Sequence, residues 1–212
     1  MEIIPVINCN DVHCVEERMN IIRSLGVSWA QIDVADGIFA PIESWNKKSD
    51  ILDLKNIVSK FPEIKLEAHL MVGNPFDVIN DWVSLGAKRI IFHAETISPD
   101  EIKKVKEGVE IGIALLPETS EDEFDKFSSV SDFVQVLAVP QGFSGGEFKE
   151  TMIEKIKKLR EKYKNIDIEI DGGVTPLIAI KIKQAGANIA TSGSFIFNSE
   201  NPVESYRELY KV

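Results

Sequence analysis

The sequence predicts an α/β protein: one domain, residues 1–212, folded as a closed (β/α)8 TIM barrel. Three observations predict it. Eight short apolar runs recur along the chain: "EIIPVIN", "WAQIDVA", "IKLEAHLM", "KRIIFHA", "EIGIALL", "FVQVLAV", "IDIEID" and "ANIATSG". Each is rich in Ile, Val, Leu or Ala and short enough for a buried strand. Stretches with helical spacing separate most of them, and capping residues and glycines mark where those stretches begin and end.

The elements follow in order. After the first run, "DVHCVEERMNIIRSLG" places Val12, Val15, Met19 and Ile22 on one helical face, with Gly26 as the terminating C′ residue. Asn74-Pro75, Ser98-Pro99, Thr175-Pro176 and Asn201-Pro202 each set a capping side chain before a proline. The cap oxygen accepts a free N–H, and proline at the first helical position has no N–H to leave unpaired. "SEDE" at 120–123 fits a capping box, and Gly86, Gly108 and Gly186 stand where helices should stop. Alternation of β and α implies a parallel sheet. Eight units in 212 residues imply a barrel rather than an open doubly wound sheet. The open sheet should carry a glycine-rich turn after its first strand, and "NCNDVHC" has none.

The formal net charge is −10 and the isoelectric point about 4.9. Such a surface repels nucleic acid and anionic membranes, so neither is an expected partner, whereas a small phosphorylated sugar in a local pocket is compatible. The N-terminus lacks the basic and cleavage features of a signal peptide, and no run reaches the roughly 18 apolar residues that span a bilayer. The expected location is cytoplasmic, and Cys9 and Cys14 are expected to be reduced thiols.

Polar residues fall on one face of several strands. Residues two apart share a face. Gln31, Asp33 and Ala35 therefore oppose Ile32 and Val34; Glu67 and His69 oppose Leu66 and Ala68; Asp167, Glu169 and Asp171 alternate with Ile166, Ile168 and Ile170. The isoleucines must meet the outer helices, so the acids and histidines point into the barrel. Buried unpaired charges cost several kcal/mol each, so Asp33, His69 and Asp171 need hydrogen bonds, a shared proton or a cation. One histidine and two carboxylates suit a divalent metal. His93 is read as a hydrogen-bonded core histidine, His13 as solvated, Asp36 as a turn residue, and Glu67 and Glu169 as deeper anchors. "QGFSGGEF", "DGGV" and "SGSFIF" follow the last three strands, where glycine lets backbone N–H groups approach a phosphate.

The stretches "QIDVADGIFAP", "EAHLMV", "FHAET", "LLPETS", "VPQGFSGGEF", "EIDGGV" and "GSFIF" occur in order from the second strand to the last. By them the chain resembles the ribulose-phosphate 3-epimerase family of the ribulose-phosphate-binding barrels, as a divergent member. The resemblance implies an isomerase that moves a proton at the carbon next to the ketone of a ketose phosphate such as D-ribulose 5-phosphate. It implies a divalent metal (Mg, Mn, Fe or Zn) held by Asp33, His69 and Asp171, with the two aspartates also the catalytic acid/base pair. It implies phosphate contacts at Gly145, Gly146, Gly172, Gly173, Gly193 and Ser194. Barrels of this kind commonly associate, which leaves a homo-oligomer open.

Departures from the family surround the same pocket. Met71 matches one of its pocket methionines, but Ala35 and Leu137 occupy two others, Cys9 stands for a serine, and "QGFSGG" replaces "PGFGGQ". Gln31 falls where the family has its second metal-binding histidine. As a ligand, a glutamine oxygen predicts weaker binding, or a shift from Zn²⁺ toward Mg²⁺ or Mn²⁺. Alternatively Gln31 donates to Asp33 or to a substrate hydroxyl with no metal present. The competing function is a non-catalytic sugar-phosphate-binding barrel that has lost the metal site.

Overall fold

The computed structural model describes residues 1–105, 108–142 and 145–212. Its sheet closes on itself. The strands are β1 (Glu2–Ile7), β2 (Trp29–Asp36), β4 (Lys65–Met71), β5 (Arg89–His93), β6 (Glu110–Leu115), β7 (Phe133–Leu137), β8 (Asp167–Asp171) and β9 (Ile189–Ser192). All pair in parallel, and β1 meets both β2 and β9. A short β3 (Glu43–Ser44) adds antiparallel to the end of β2. The eight predicted runs are the eight barrel strands.

Around them lie α1 (Val12–Leu25), α2 (Lys48–Val58), α3 (Ile79–Leu85), α4 (Pro99–Ile102), α5 (Thr151–Lys162), α6 (Pro176–Ala185), α7 (Ser194–Phe197) and α8 (Pro202–Tyr210). Val15, Met19 and Ile22 form the buried stripe of α1, and Gly26 ends it at φ 68°. Thr175 and Asn201 cap as their sequence predicts, by accepting from Ile178 N and Glu204 N. Asn74 and Ser120 also cap, but over 3-10 turns (Pro75–Asp77 and Glu121–Lys126) rather than α-helices. Gly86 and Gly186 terminate α3 and α6 in the left-handed region.

One structural finding overturns an expectation. Cys9 and Cys14 are joined in a disulfide, with Cα atoms 5.8 Å apart. The thiol prediction rested on compartment and took no account of geometry. Asp11 caps α1 by accepting from Cys14 N at 3.0 Å, which folds the first helical turn back over the end of β1 where Cys9 is buried.

The apolar core lies mainly between strands and helices, with Ile32, Val34, Ile90, Ile113, Val136 and Ile170 facing outward into it. Inside, the barrel is filled in layers. At the floor Ile4, Trp29 and Ile189 pack together. The Arg89 guanidinium lies 4.0 Å over the Trp29 ring and 5.3 Å over that of Phe133, and pairs with Glu110 at 2.6 Å and Glu67 at 3.4 Å. Gly112 makes room for this: a Cβ there would sit 2.4 Å from Phe133 Cζ. Above the floor come the buried Gln31, Glu67, Gln135 and Glu169. The top layer opens at the carboxyl ends of the strands.

One long-range tie shapes that mouth. The buried Lys155 ammonium on α5 donates to the carbonyls of Leu116 (2.8 Å), Pro117 (3.0 Å) and Thr119 (2.6 Å). It fixes the loop that follows β6.

The Phe133 contact makes Gly112→Ala an overpacking change, expected to destabilise the fold by about 1–3 kcal/mol. A urea unfolding midpoint equal to that of the parent chain would refute the contact.

Candidate active site

Pairing register carries the key side chains to one place. Asp33 lies beside His69 across β2 and β4, and Asp171 comes from β8 on the other side of the barrel. Alternation from Ile32 and Val34, which face the helices, turns Asp33 inward; Ile170 does the same for Asp171. His69 is fully buried, and its Nδ1 stands 3.5 Å from Asp33 Oδ1 and 3.3 Å from Asp171 Oδ2. One ligand atom from each of the three lies within 4.8 Å of the others. His69 Nδ1 is buried with no well-formed hydrogen bond. Such a carboxylate–imidazole–carboxylate set, with an imidazole nitrogen left over, fits a divalent cation.

Gln31 faces the same point. Its Nε2 donates to Asp33 Oδ1 at 2.8 Å and to Asp171 Oδ2 at 3.2 Å. Its Oε1 accepts from Gln135 Nε2 at 3.3 Å, and that amide also donates to Glu169 Oε1 at 2.7 Å. Of the two sequence readings of Gln31, this arrangement is the one in which it donates. Thr191 completes the cluster by donating to Asp171 Oδ1 at 2.7 Å.

The cavity above is walled by Asn8, Cys9, Asp33, Met71, Leu137, Asp171, Thr191 and the glycines of three loops, Gly145, Gly172, Gly173 and Gly193, with Ser194. Close approach requires those glycines. A Cβ at Gly173 would fall 2.8 Å from Gly146 O, and one at Gly172 would fall 2.5 Å from Val139 Cγ2. Gly146 itself backs onto Val139 instead of lining the cavity. Phe143 and Ser144 of the predicted "QGFSGGEF" loop lie outside the described residues.

Asp36 organises turns: Oδ1 accepts from Ile38 N and Phe39 N, both at 2.9 Å, and Oδ2 from Gly73 N at 2.7 Å. Alternation in the sequence could have found two members of the cluster that went unmarked. Gln135 shares a face with Phe133 and Leu137, and Thr191 with Ile189. His93 is a buried histidine as predicted, but its partner is His69 itself, with the two Nε2 atoms 2.9 Å apart.

The electrostatics split the two aspartates. Burial pushes both carboxyls up. For Asp33 burial and the Asp171 charge prevail, so its pKa is raised. For Asp171 the His69 contact, with help from Thr191 and Gln31, outweighs burial, so its pKa is lowered. Burial opposes charge on His69 too, but the flanking Asp171 and Asp33 raise it to about 9. Burial is the main cause for Glu67, raised to about 8 with help from the Asp171 and Glu2 charges, and for His93, lowered to about 4 with help from the His69 charge.

A barrel with a carboxylate pair and a glycine-lined cavity at the carboxyl ends of its strands belongs to a widely shared architecture. 3-Hexulose-6-phosphate synthase superposes with a TM-score of 0.74 at 14% identity, over 100% of this chain and 99% of that one. Orotidine 5'-phosphate decarboxylase from Pyrococcus horikoshii gives 0.72 at 18% identity, over 99% and 97%. These show the fold. Sequence comparison narrows the class. The Ribulose-phosphate 3 epimerase family model matches residues 2–197. The cytoplasmic isoform of ribulose-phosphate 3-epimerase from Oryza sativa is 34% identical over 88% of this chain and 83% of its own length. The enzyme from Chlamydia muridarum is 30% identical over 94% and 89%. The chain belongs to the ribulose-phosphate 3-epimerase family, isomerases acting on carbohydrate phosphates. Among the described residues no helix is long and apolar enough to cross a membrane.

The raised His69 value has a sign that can be checked. A folded pKa of about 9, above the unfolded value near 6.5, gives stability that is full below pH 6.5 and is lost as pH rises through 9. Metal-free protein should therefore lose stability across that window. The loss should be smaller in His69→Asn, measured by urea unfolding at stepped pH.

Proposed function

We propose that this chain is a catalytic epimerase of D-ribulose 5-phosphate or a closely similar ketose phosphate, with Asp33 and Asp171 as its proton-transferring pair. One observation carries the reading: two carboxylates from β2 and β8 converge at the base of a single cavity whose rim is backbone glycine. Inversion beside a ketone needs a base on one face of the carbon and an acid on the other. The base takes the C3 proton, the C–H electrons move into an enediolate, and the acid returns a proton to the opposite face.

In the chain itself the proton affinities already differ, Asp171 lowered and Asp33 raised, which suits Asp171 to take a proton and Asp33 to give one. Backbone N–H groups around Gly145, Gly172, Gly173 and Gly193, with the Ser194 hydroxyl, would hold the phosphate. Met71 and Leu137 line the wall and limit water near the reacting carbon. Asp33, His69 and Asp171 would hold a divalent cation, which when bound supplies Lewis-acid stabilisation of negative charge on the substrate oxygens.

Gln31 favours a second reading, a sugar-phosphate-binding barrel without turnover. Its amide satisfies both carboxylates without a cation. The two readings part in D₂O. The epimerase incorporates deuterium at C3 of D-ribulose 5-phosphate, seen by NMR in the presence of Mn²⁺, Zn²⁺ or Fe²⁺. A binding protein gives a calorimetric phosphate-ligand isotherm and no exchange with any of them.

Two variant predictions follow from the geometry. Asp33→Asn and Asp171→Asn should each lower the exchange rate by about 10²–10⁴-fold. Gln31→His should raise Mn²⁺ or Zn²⁺ affinity in a calorimetric titration, and an unchanged affinity would show that position 31 takes no part in holding the cation.

A further inference from the structure

His69 has two ring nitrogens, and the site uses only one. Nδ1 faces Asp33 and Asp171. Nε2 faces away, 2.9 Å from Nε2 of His93, with the two rings stacked 4.9 Å apart. Both imidazoles are fully buried, so water takes no part in this contact. Two facing ring nitrogens at this distance hold one proton between them: one donates and the other accepts.

The far side of His93 decides which. Its Nδ1 lies 3.5 Å from Glu95 Oε2. Glu95 is not free to turn away. Its other oxygen accepts from the Thr119 hydroxyl, and from Leu116 N at 3.4 Å. Lys155 in turn fixes that loop through the carbonyls of Leu116, Pro117 and Thr119. Phe39 closes over the His93 ring at 4.7 Å.

A bare Nδ1 lone pair would face a carboxylate, which only accepts. The proton of His93 therefore sits on Nδ1, on the side of Glu95, although at 3.5 Å the two do not form a well-made hydrogen bond. Its Nε2 is then an acceptor, so His69 must donate from Nε2. His69 Nδ1, which faces Asp33 at 3.5 Å and Asp171 at 3.3 Å, is then the nitrogen that gives up its proton when a cation binds. Were the Nε2 proton the one lost, the imidazole would keep a hydrogen on Nδ1, where a metal needs a lone pair.

We propose that Glu95 and His93 are positioning residues that hold the His69 proton on Nε2 and so reserve Nδ1 for the site. The assignment rests on the epimerase reading only for its use of His69. The chain Glu95–His93–His69 is testable in metal-free protein without substrate.

The experiment is long-range ¹H–¹⁵N correlation on ¹⁵N-histidine-labelled, metal-free protein, with the Glu95→Gln variant beside it. Glutamine can still accept from Thr119 and Leu116 while offering His93 an amide N–H₂ that tolerates a bare Nδ1. The parent protein should show His93 protonated on Nδ1 and bare on Nε2, with His69 protonated on Nε2. In Glu95→Gln, His93 should shift toward the Nε2–H form, and Mn²⁺ affinity by calorimetry should fall about 10-fold or more. A parent His93 protonated on Nε2 overturns the proposal, whether or not the variant folds. So does a folded Glu95→Gln protein in which either the tautomer or the affinity is unchanged. Loss of the epimerase reading would appear separately, as no C3 exchange in a protein whose histidines show the expected tautomers.

Discussion

The structure depends on how two carboxylates are held together inside a barrel. Asp33 and Asp171 point at one another across the mouth, largely out of water, with side chains 20% and 15% exposed. Left alone they would repel and each would resist ionisation. His69 and Gln31 sit between them and resolve the conflict, one with an imidazole that gains a proton easily and one with an amide that donates to both. Thr191 adds a further donor on the Asp171 side alone. With the Asp171 charge raising Asp33, and His69 chiefly, then Thr191 and Gln31, lowering Asp171, the two chemically identical side chains differ in proton affinity.

Everything beneath them serves to keep that cluster in place. A polar layer in a barrel interior must have its hydrogen bonds satisfied by the neighbouring layer or by solvent. Here Gln135 links Gln31 above to Glu169 beside it, and Arg89 meets Glu67 from below, while Glu67 Oε1, Gln135 Oε1 and Glu169 Oε2 have no partner among the described residues. Arg89 is itself held between the Trp29 and Phe133 rings and the exposed Glu110. The sequence of contacts from floor to mouth thus runs aromatic, cationic, carboxyl, amide, carboxylate. A barrel with an all-aliphatic interior would have no need of such a sequence, and could not present charges at its mouth.

Most of this fold was legible because parallel strands buried on both faces leave a strong alternation in the sequence. The isoleucines of "IDIEID" and "WAQIDVA" face helices, so the acids between them had only one direction to point. Proline after a capping residue marked the start of a helical turn for a local reason, opening α-helices at Thr175-Pro176 and Asn201-Pro202 and a 3-10 turn at Asn74-Pro75. What stayed hidden depends on contacts between distant strands or on local closure. That His93 would meet His69 follows from the adjacency of β4 and β5 and the reach of two rings, which spacing alone does not encode. The Cys9–Cys14 bond depends on how α1 leaves β1. Gln135 was readable by alternation, but a single amide among apolar neighbours does not announce a function until its partner is seen.

Gln31 is then best understood together with Gln135. An imidazole at position 31 would offer one nitrogen to the aspartates and leave the other for the Gln135 amide on β7. A glutamine there instead divides its two polar atoms, N–H₂ toward the carboxylates and carbonyl toward Gln135. The amide at Gln135 is what makes the carbonyl's inward orientation favourable, and Glu169 holds Gln135 in turn. To present its oxygen to a cation, Gln31 must turn its amide over, and the N–H₂ of Gln135 would then face another N–H₂. The two glutamines are therefore coupled: metal binding through Gln31 requires both amides to turn, while metal binding through Asp33, His69 and Asp171 alone requires neither. Gln135 therefore decides whether Gln31 can serve as a further ligand, and leaves the set of Asp33, His69 and Asp171 untouched.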